Sequence, residues 1–294
     1  MTDGPHLCGP EVARVAKDAP HAYVAIDTGR GPHVTPVLFA VTPDRLWFAV
    51  PRGTLKARML AKRPQVGVML RGESSSVVIA GTAAQLDPGR PKELVARLPE
   101  LWRAQAGVPS YGVRNAGELL AFARDAATAS GASSPTELVL VSVRPRAIEI
   151  APNDLEPRPA GGEPAADGHP YAGVPEDLAD LARSPGPVVL GWSTPDGPLA
   201  VPACWDDGKA QVHWPPPASA GADTAGPACL CFDVVDGRGP IAKSGLMLRG
   251  RGRVRGRGAS RSVALDPDRV TWWRGFETGT VPVRGAAAAR PAAA

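Results

Sequence analysis

The tetrapeptide Gly53-Thr54-Leu55-Lys56, flanked by Arg52 and Arg58, is where residue type and spacing come closest to doing chemistry in this chain. A threonine able to cap a helix, followed at once by helical spacing, offers free backbone N–H groups, and Lys56 adds a point charge. That combination suits a phosphate. The same residues also read as a capped helix on a solvated surface, and the tetrapeptide alone leaves both readings open.

Other chemistry-bearing residues are less concentrated. Cys229 and Cys231 fall on one face of a strand, with no CxxC pair and no nearby histidine to complete a tetrahedral site. They read as buried thiols, and no metal site is expected. His6, His21, His33, His169 and His213 are scattered; His33 alone falls in a β-rich run beside Thr35, Pro36 and Val37. The arginine-rich run RGRGRVRGRGASR at 249–261 could meet nucleic-acid phosphates, but alternation with Gly and Val on a strand puts its arginines on one solvated face. It could also surround an anionic cofactor tail; no nucleic-acid partner is expected. No nucleophile elbow, Walker loop or strand-to-helix GxGxxG occurs.

The elements that must position these residues follow from periodicity. Residues 23–27, 34–41 and 45–50 are β-branched and aromatic runs separated by the turn clusters TGRG and TPD, the pattern of an antiparallel meander. Residues 55–61 have helical spacing and stop before Pro64, and strand character returns at 66–70 and 77–86. Residues 91–106 and 117–128 read as helices. The first carries a stripe of Leu94, Leu98, Leu101 and Trp102, with a kink at Pro99. Strand character resumes at 137–143.

This series occurs twice. Residues 11–20 and 176–185 are short amphipathic stretches stopped by proline, at an offset of 165. Thr28, Gly31, Pro32 and Pro36 recur as Thr194, Gly197, Pro198 and Pro202 at 166, and at the same offset Leu46 and Phe48 fall on Val212 and Trp214. Offsets of 163 for 65–70, 169 for 77–81 and 122 for 141–150 complete the match, leaving about 47 extra residues in the first copy. The domain plan is therefore a first β-barrel at 1–151 with a helical insert at about 90–130, a linker at 152–174, a degenerate second barrel at 175–284, and a disordered tail at 285–294.

A net charge of +4 on 294 residues implies no polyanionic partner. No basic stretch followed by an apolar run opens the chain, and nothing approaches roughly 18 consecutive apolar residues, so no membrane partner and a cytoplasmic location are expected. Four cysteines without a framework spacing suit a reducing compartment.

The runs 31–70 and 77–86, with a Pro-bearing second strand, an aromatic third strand, a Thr/Lys loop opening a short helix and a glycine-centred strand, resemble the flavin and deazaflavin oxidoreductase branch of the pyridoxamine 5'-phosphate oxidase-like split barrels. The resemblance implies a mainly β fold with helices (α+β), two tandem split barrels forming a pseudo-dimer within one chain, able to stand as a monomer. It implies that Thr54 and Lys56 bind a cofactor phosphate with Arg52 and Arg58 as neighbouring cations, and that Thr35, Pro36 and Val37 line the isoalloxazine. FMN is the first cofactor it implies, an 8-hydroxy-5-deazaflavin coenzyme the second, haem the third. The activity implied is hydride transfer to or from a small organic substrate; the alternative is a non-catalytic flavin-, haem- or ligand-binding barrel. Met59 stands where the family often has asparagine, and Ala49 and Val50 where it often has Ser or Thr. Homodimers of the family bind flavin between subunits, so the second copy, whose matching loop has no lysine, would supply the partner wall, with Trp205, Trp214, Lys243, Trp272 and Trp273 as candidates.

Overall fold

The computed structural model describes residues 5–90, 96–120, 138–153, 171–206, 209–212, 224–234, 244–255, 261–275 and 277–283. The fold is α+β and mainly β. Its first half runs α1 (Pro10–Asp18), β1 (Ala22–Thr28), β2 (Gly31–Val37), β3 (Phe39–Thr42), β4 (Arg45–Pro51), α2 (Leu55–Lys62), β5 (Gln65–Arg71), β6 (Ser75–Leu86), α3 (Leu98–Arg114) and β7 (Leu138–Pro152). The second runs α4 (Glu176–Arg183), β8 (Gly186–Thr194), β9 (Gly197–Asp206), β10 (Lys209–Val212), β11 (Ala225–Val234), β12 (Ser244–Arg255), β13 (Arg261–Arg274) and β14 (Glu277–Pro282). Among the described residues no helix is long and apolar enough to cross a membrane.

The strands form two seven-stranded antiparallel sheets with the orders β2-β1-β5-β6-β7-β4-β3 and β10-β9-β8-β11-β12-β13-β14; in the second, β10 also pairs with β13 and closes the ring. The two orders correspond once β9 is set against β2 and β3 together, with β14 an added strand that has no counterpart in the first sheet. The strand expected over 34–41 is divided at Leu38, whereas its counterpart β9 is continuous.

Details recur within this shared order. Thr28 donates its hydroxyl to the Gly31 carbonyl, and Thr194 to that of Gly197, both at 2.7 Å, while Gly31 and Gly197 have φ of 102° and 123° that only glycine adopts without strain. Each long hairpin carries a bulge at the same place, where Gly81 opposes Pro145 and Gly250 opposes Pro267.

Two expected offsets shift. Ala25 pairs with Gly67 and Gly191 with Cys229, so β5 corresponds to β11 at 162, not 163. A one-residue slip exchanges the two faces of a strand, so Cys229 and Cys231 stand in for Gly67 and Met69, which look outward. Likewise Phe48 pairs with Val141 and Ala210 with Val263, placing Val212 at the position of Val50 rather than Leu46, because the turn after β9 is four residues shorter. Trp214 lies outside the described residues.

Each barrel buries one face. Val24, Ile26, Phe48, Val66, Val68, Ile79 and Val141 fill the first, capped by Val12 and Val15 of α1 and Ala57 and Leu60 of α2. The second interior forms one apolar cluster with Tyr23, Ala25, Val34, Met69 and Val78 of the first barrel, so the barrels are joined through an apolar face.

The helical insert departs from expectation. Pro99 is the second residue of α3, where the missing N–H costs nothing, and makes no kink. Leu98 and Trp102 are exposed; the buried side runs through Leu101, Ala104, Gly107 and Tyr111. Gly107 lets the Trp47 ring lie directly on the helix backbone, since a Cβ there would collide with it. Residues 91–95 and 121–137, which include parts of both expected helices, and 154–170 and 284–294, which cover most of the linker and the tail, are outside the described residues.

Candidate functional site at the junction of the barrels

Thr54 is the N-cap of α2. Its Oγ1 accepts from the Ala57 N–H at 3.3 Å and donates to the Pro51 carbonyl at 2.8 Å, so its hydroxyl is engaged within the loop. The first turn of α2 has no acidic residue, and Lys56 there opposes the helix dipole. Burial pushes the Lys56 ammonium down to about 7. The one group raising it is the Cys231 thiol of the second barrel, which burial itself holds protonated. Lys56 thus has no anionic counter-charge among the described residues.

His33 brings the second barrel in directly. Its Nδ1 lies 3.0 Å from Nη2 of Arg249 on β12. A guanidinium only donates, so Nδ1 accepts and the ring carries its proton on Nε2. Burial, then Arg249, then Lys56 lower the His33 pKa to about 3, keeping the imidazole neutral. Arg249 Nε is buried without a hydrogen-bond partner, and Asp268, the carboxylate near it, is ion-paired with Arg269 at 3.3 Å. Two strand residues along from His33, the Thr35 hydroxyl is likewise buried and unpartnered. Buried polar atoms in native folds are nearly always satisfied, so two unpartnered ones, at and beside the His33–Arg249 contact, point to a ligand.

The other expected residues divide. Pro36 pairs with Tyr23 on the face turned to the second barrel, while Val37 packs on the first interior. Arg52 is bound by buried Asp87, with Nη2 at 2.8 Å and Nε at 3.0 Å, so its charge is already balanced. Arg58 is exposed. The candidate wall tryptophans divide too. Trp205 is interior, donating to the Ala182 carbonyl at 2.8 Å and meeting Phe232 edge-on, and Trp273 packs over Gly245. Trp272 keeps a buried, unpartnered Nε1. Lys243 lies outside the described residues.

Arg249 is not singled out by the sequence, which offers it only as one of a run that either solvates one face or surrounds an anionic cofactor tail. It belongs to a run whose other described arginines, Arg251, Arg253 and Arg255, are exposed as expected. Its distinction is its neighbour: Cys229, paired with it across β11, lies under Val34 of β2. An open cleft of about 320 Å³, lined by Asp27, Arg63, Gln65, Thr194, Pro195 and Gly197, includes none of these residues. Among the described residues no cluster of His, Cys, Asp and Glu could hold a metal ion.

With the barrel and its glycine-bulged strand in view, residues 10–130 match the protein family described as Pyridoxamine 5'-phosphate oxidase. That match spans most of the first barrel. Solved structures similar to this chain include a pyridoxamine 5'-phosphate oxidase-related, FMN binding protein from Nostoc punctiforme, at 14% identity over 51% of this chain and 86% of that one, TM-score 0.34. A FAD-binding protein from Mesorhizobium loti matches at 15% identity over 50% and 96%, TM-score 0.34. A pyridoxamine 5'-phosphate oxidase-like protein from Listeria innocua matches at 15% over 48% and 94%, TM-score 0.30. Among curated proteins none matches the chain.

Proposed function

We propose that this chain is a flavin-dependent oxidoreductase whose cofactor, FMN or a deazaflavin coenzyme, lies between β2 and α2 of the first barrel and β11 and β12 of the second. The observation that carries this is the gathering of Arg249 and an uncompensated Lys56 about His33, with the orphaned Thr35 hydroxyl two residues along the same strand. These residues fit a flavin phosphate: two cations, a hydroxyl and the start of α2.

When bound, the cofactor accepts and donates the hydride. The chain's own residues bind, orient and exclude water. Thr54 fixes the start of α2 and so the position of Lys56; Lys56 carries the charge facing the phosphate; Thr35 and Pro36 supply the strand along which the ring lies. In this reading the second barrel is a degenerate tandem copy, and the pair takes the place of a homodimer.

The engagement of Thr54 and Arg52 within the protein favours a second reading, a barrel that binds a flavin without turnover. Titration with FMN, followed by its absorbance, tests binding. Lys56→Ala is expected to weaken affinity roughly tenfold to a hundredfold, on the order of 1.5–3 kcal/mol, with Lys62→Ala at the far end of α2 unchanged. Equal affinities in all three proteins would remove Lys56 from the site. Bound FMN that reduced nicotinamide cannot bleach would favour the second reading.

A further inference from the structure

Arg249 is a cation without an ion-pair partner of its own among the described residues. It is half-buried, its Nε has no partner, and its one described hydrogen bond is to a neutral imidazole that gives it no charge. Arg30 and Arg269 lie close enough to disfavour its charge further, and Asp268 is shared with Arg269. Lys56 approaches the same imidazole from the first barrel. Two partly buried cations gathered about one neutral imidazole are costly unless an anion joins them.

The corresponding place on the other side of the molecule has lost each of these groups. There the shared strand order puts Leu199 for His33, Val201 for Thr35 and Ala80 for Arg249. No lysine or arginine occurs between Lys209 and Arg238, the stretch matching the α2 loop. Donors from both barrels are kept together at one junction and absent together at the other. Independent drift of two copies would not sort them that way.

We propose that Arg249, reaching from the second barrel, completes with His33, Thr35 and Lys56 a single anion-binding site per chain. His33 is a positioning residue: Nδ1 holds the guanidinium, and its Nε2–H remains to donate. The inference rests on the flavin reading for the ligand's identity. The presence of an anion rests on the donor set alone. In a flavin the negative group is either the phosphate or the ring edge.

The test is titration of the full chain, wild type and Arg249→Ala, with FMN and with riboflavin, together with thermal unfolding in inorganic phosphate. Wild type is expected to take up one FMN per chain, and Arg249→Ala to lose tenfold or more in FMN affinity. A matching loss for riboflavin assigns Arg249 to the ring, and a loss confined to FMN assigns it to the phosphate. Phosphate should raise the melting temperature of wild type and not of the variant. Arg249→Gln, which keeps a donor to His33 without the charge, serves if Arg249→Ala does not fold. Two FMN per chain, or equal responses of wild type and variant to both FMN and phosphate, would overturn the inference, as would a wild type indifferent to both. Phosphate protection that depends on Arg249 in a protein that ignores FMN would sink the flavin reading and leave the anion site standing.

Discussion

Where β2 crosses β11 the barrels are held apart by side chains; where β9 crosses β5 they touch backbone to backbone. Gly67 is the reason for the second arrangement. A Cβ on it would stand 2.5 Å from the Pro198 carbonyl oxygen and 2.8 Å from Leu199 Cα. The residue in its place on the opposite junction is Cys229, whose side chain lies between β11 and β2. One atom group thus separates a seal from a slot. On the proposed reading the ligand lies at the spaced crossing, and the backbone contact at the other contributes cohesion alone.

The most severe way to break that contrast is Gly67→Val. Its clash is with backbone, which cannot rotate away, and the expected loss is about 3 kcal/mol or more. Cys229→Gly on the slot side should cost about 1–2 kcal/mol, for a lost sulfur and a freer backbone. Urea unfolding of the two variants compares them. Comparable midpoints would mean that the β5–β9 crossing has room that the geometry denies.

A smaller effect concerns the polar contact beside both crossings. Tyr23 donates to both oxygens of Asp233 at 2.9 and 3.1 Å, and Arg71 stacks over the tyrosine ring while donating to the Val188 carbonyl. Burial holds the Asp233 carboxyl above its usual range, with the Tyr23 hydrogen bond and Arg71 pulling it back. Since the folded pKa exceeds the unfolded one, the folded state binds more protons in that window, and stability falls as pH rises through it. Tyr23→Phe should cost about 1–3 kcal/mol at neutral pH and less in acid, where Asp233 is protonated. A loss independent of pH would show that the carboxylate is not what the hydroxyl serves.

The mildest test sharpens the slot itself. Lys56 falls to about 7 in the folded protein, and its surroundings are His33 from β2, the Cys231 thiol from β11 and the Arg249 charge beyond His33. Without an anion, its contribution to stability rises as pH increases from about 7 towards the unfolded value, because the unfolded chain binds the proton more tightly. Anion binding works the other way and draws the proton in. FMN affinity should therefore weaken several-fold as pH rises above about 7, and also below about 6 where the phosphate loses its second charge. Calorimetry in buffers of different ionisation enthalpy should register proton uptake in the upper range. A profile flat above neutrality would mean that Lys56 stays charged.

Much of this architecture is readable in the sequence, for reasons that lie in particular residues. Short hairpins leave a local imprint: Thr28 and Gly31 need each other within four residues, so their recurrence at Thr194 and Gly197 was visible. Lys56 stood out in the sequence because a lysine in a first helical turn is out of place. The β5–β11 offset did not, since QVGVML and ACLCFD are both apolar on both faces, and a strand covered on both sides carries no alternation to fix its register. Arg249 was hidden by company: three neighbours of the same type and spacing are solvated. The partner that sets it apart, His33, is 216 residues away. Trp102 misled in the opposite direction, a large apolar side chain on a helical stripe that faces outward.

The meeting of Ser193 and Asp27, whose side chains are hydrogen-bonded across the two barrels, has a consequence of its own. Asp27 pairs with Pro32 and Ser193 with Pro198, so they are the same position in the two strand orders. In an assembly of identical subunits a residue at such a place meets only itself: two carboxylates would repel, and two hydroxyls would make a weak bond. Two barrels joined in one chain are released from that self-complementarity. They can set a donor against a charged acceptor at the one point where symmetry would forbid the choice.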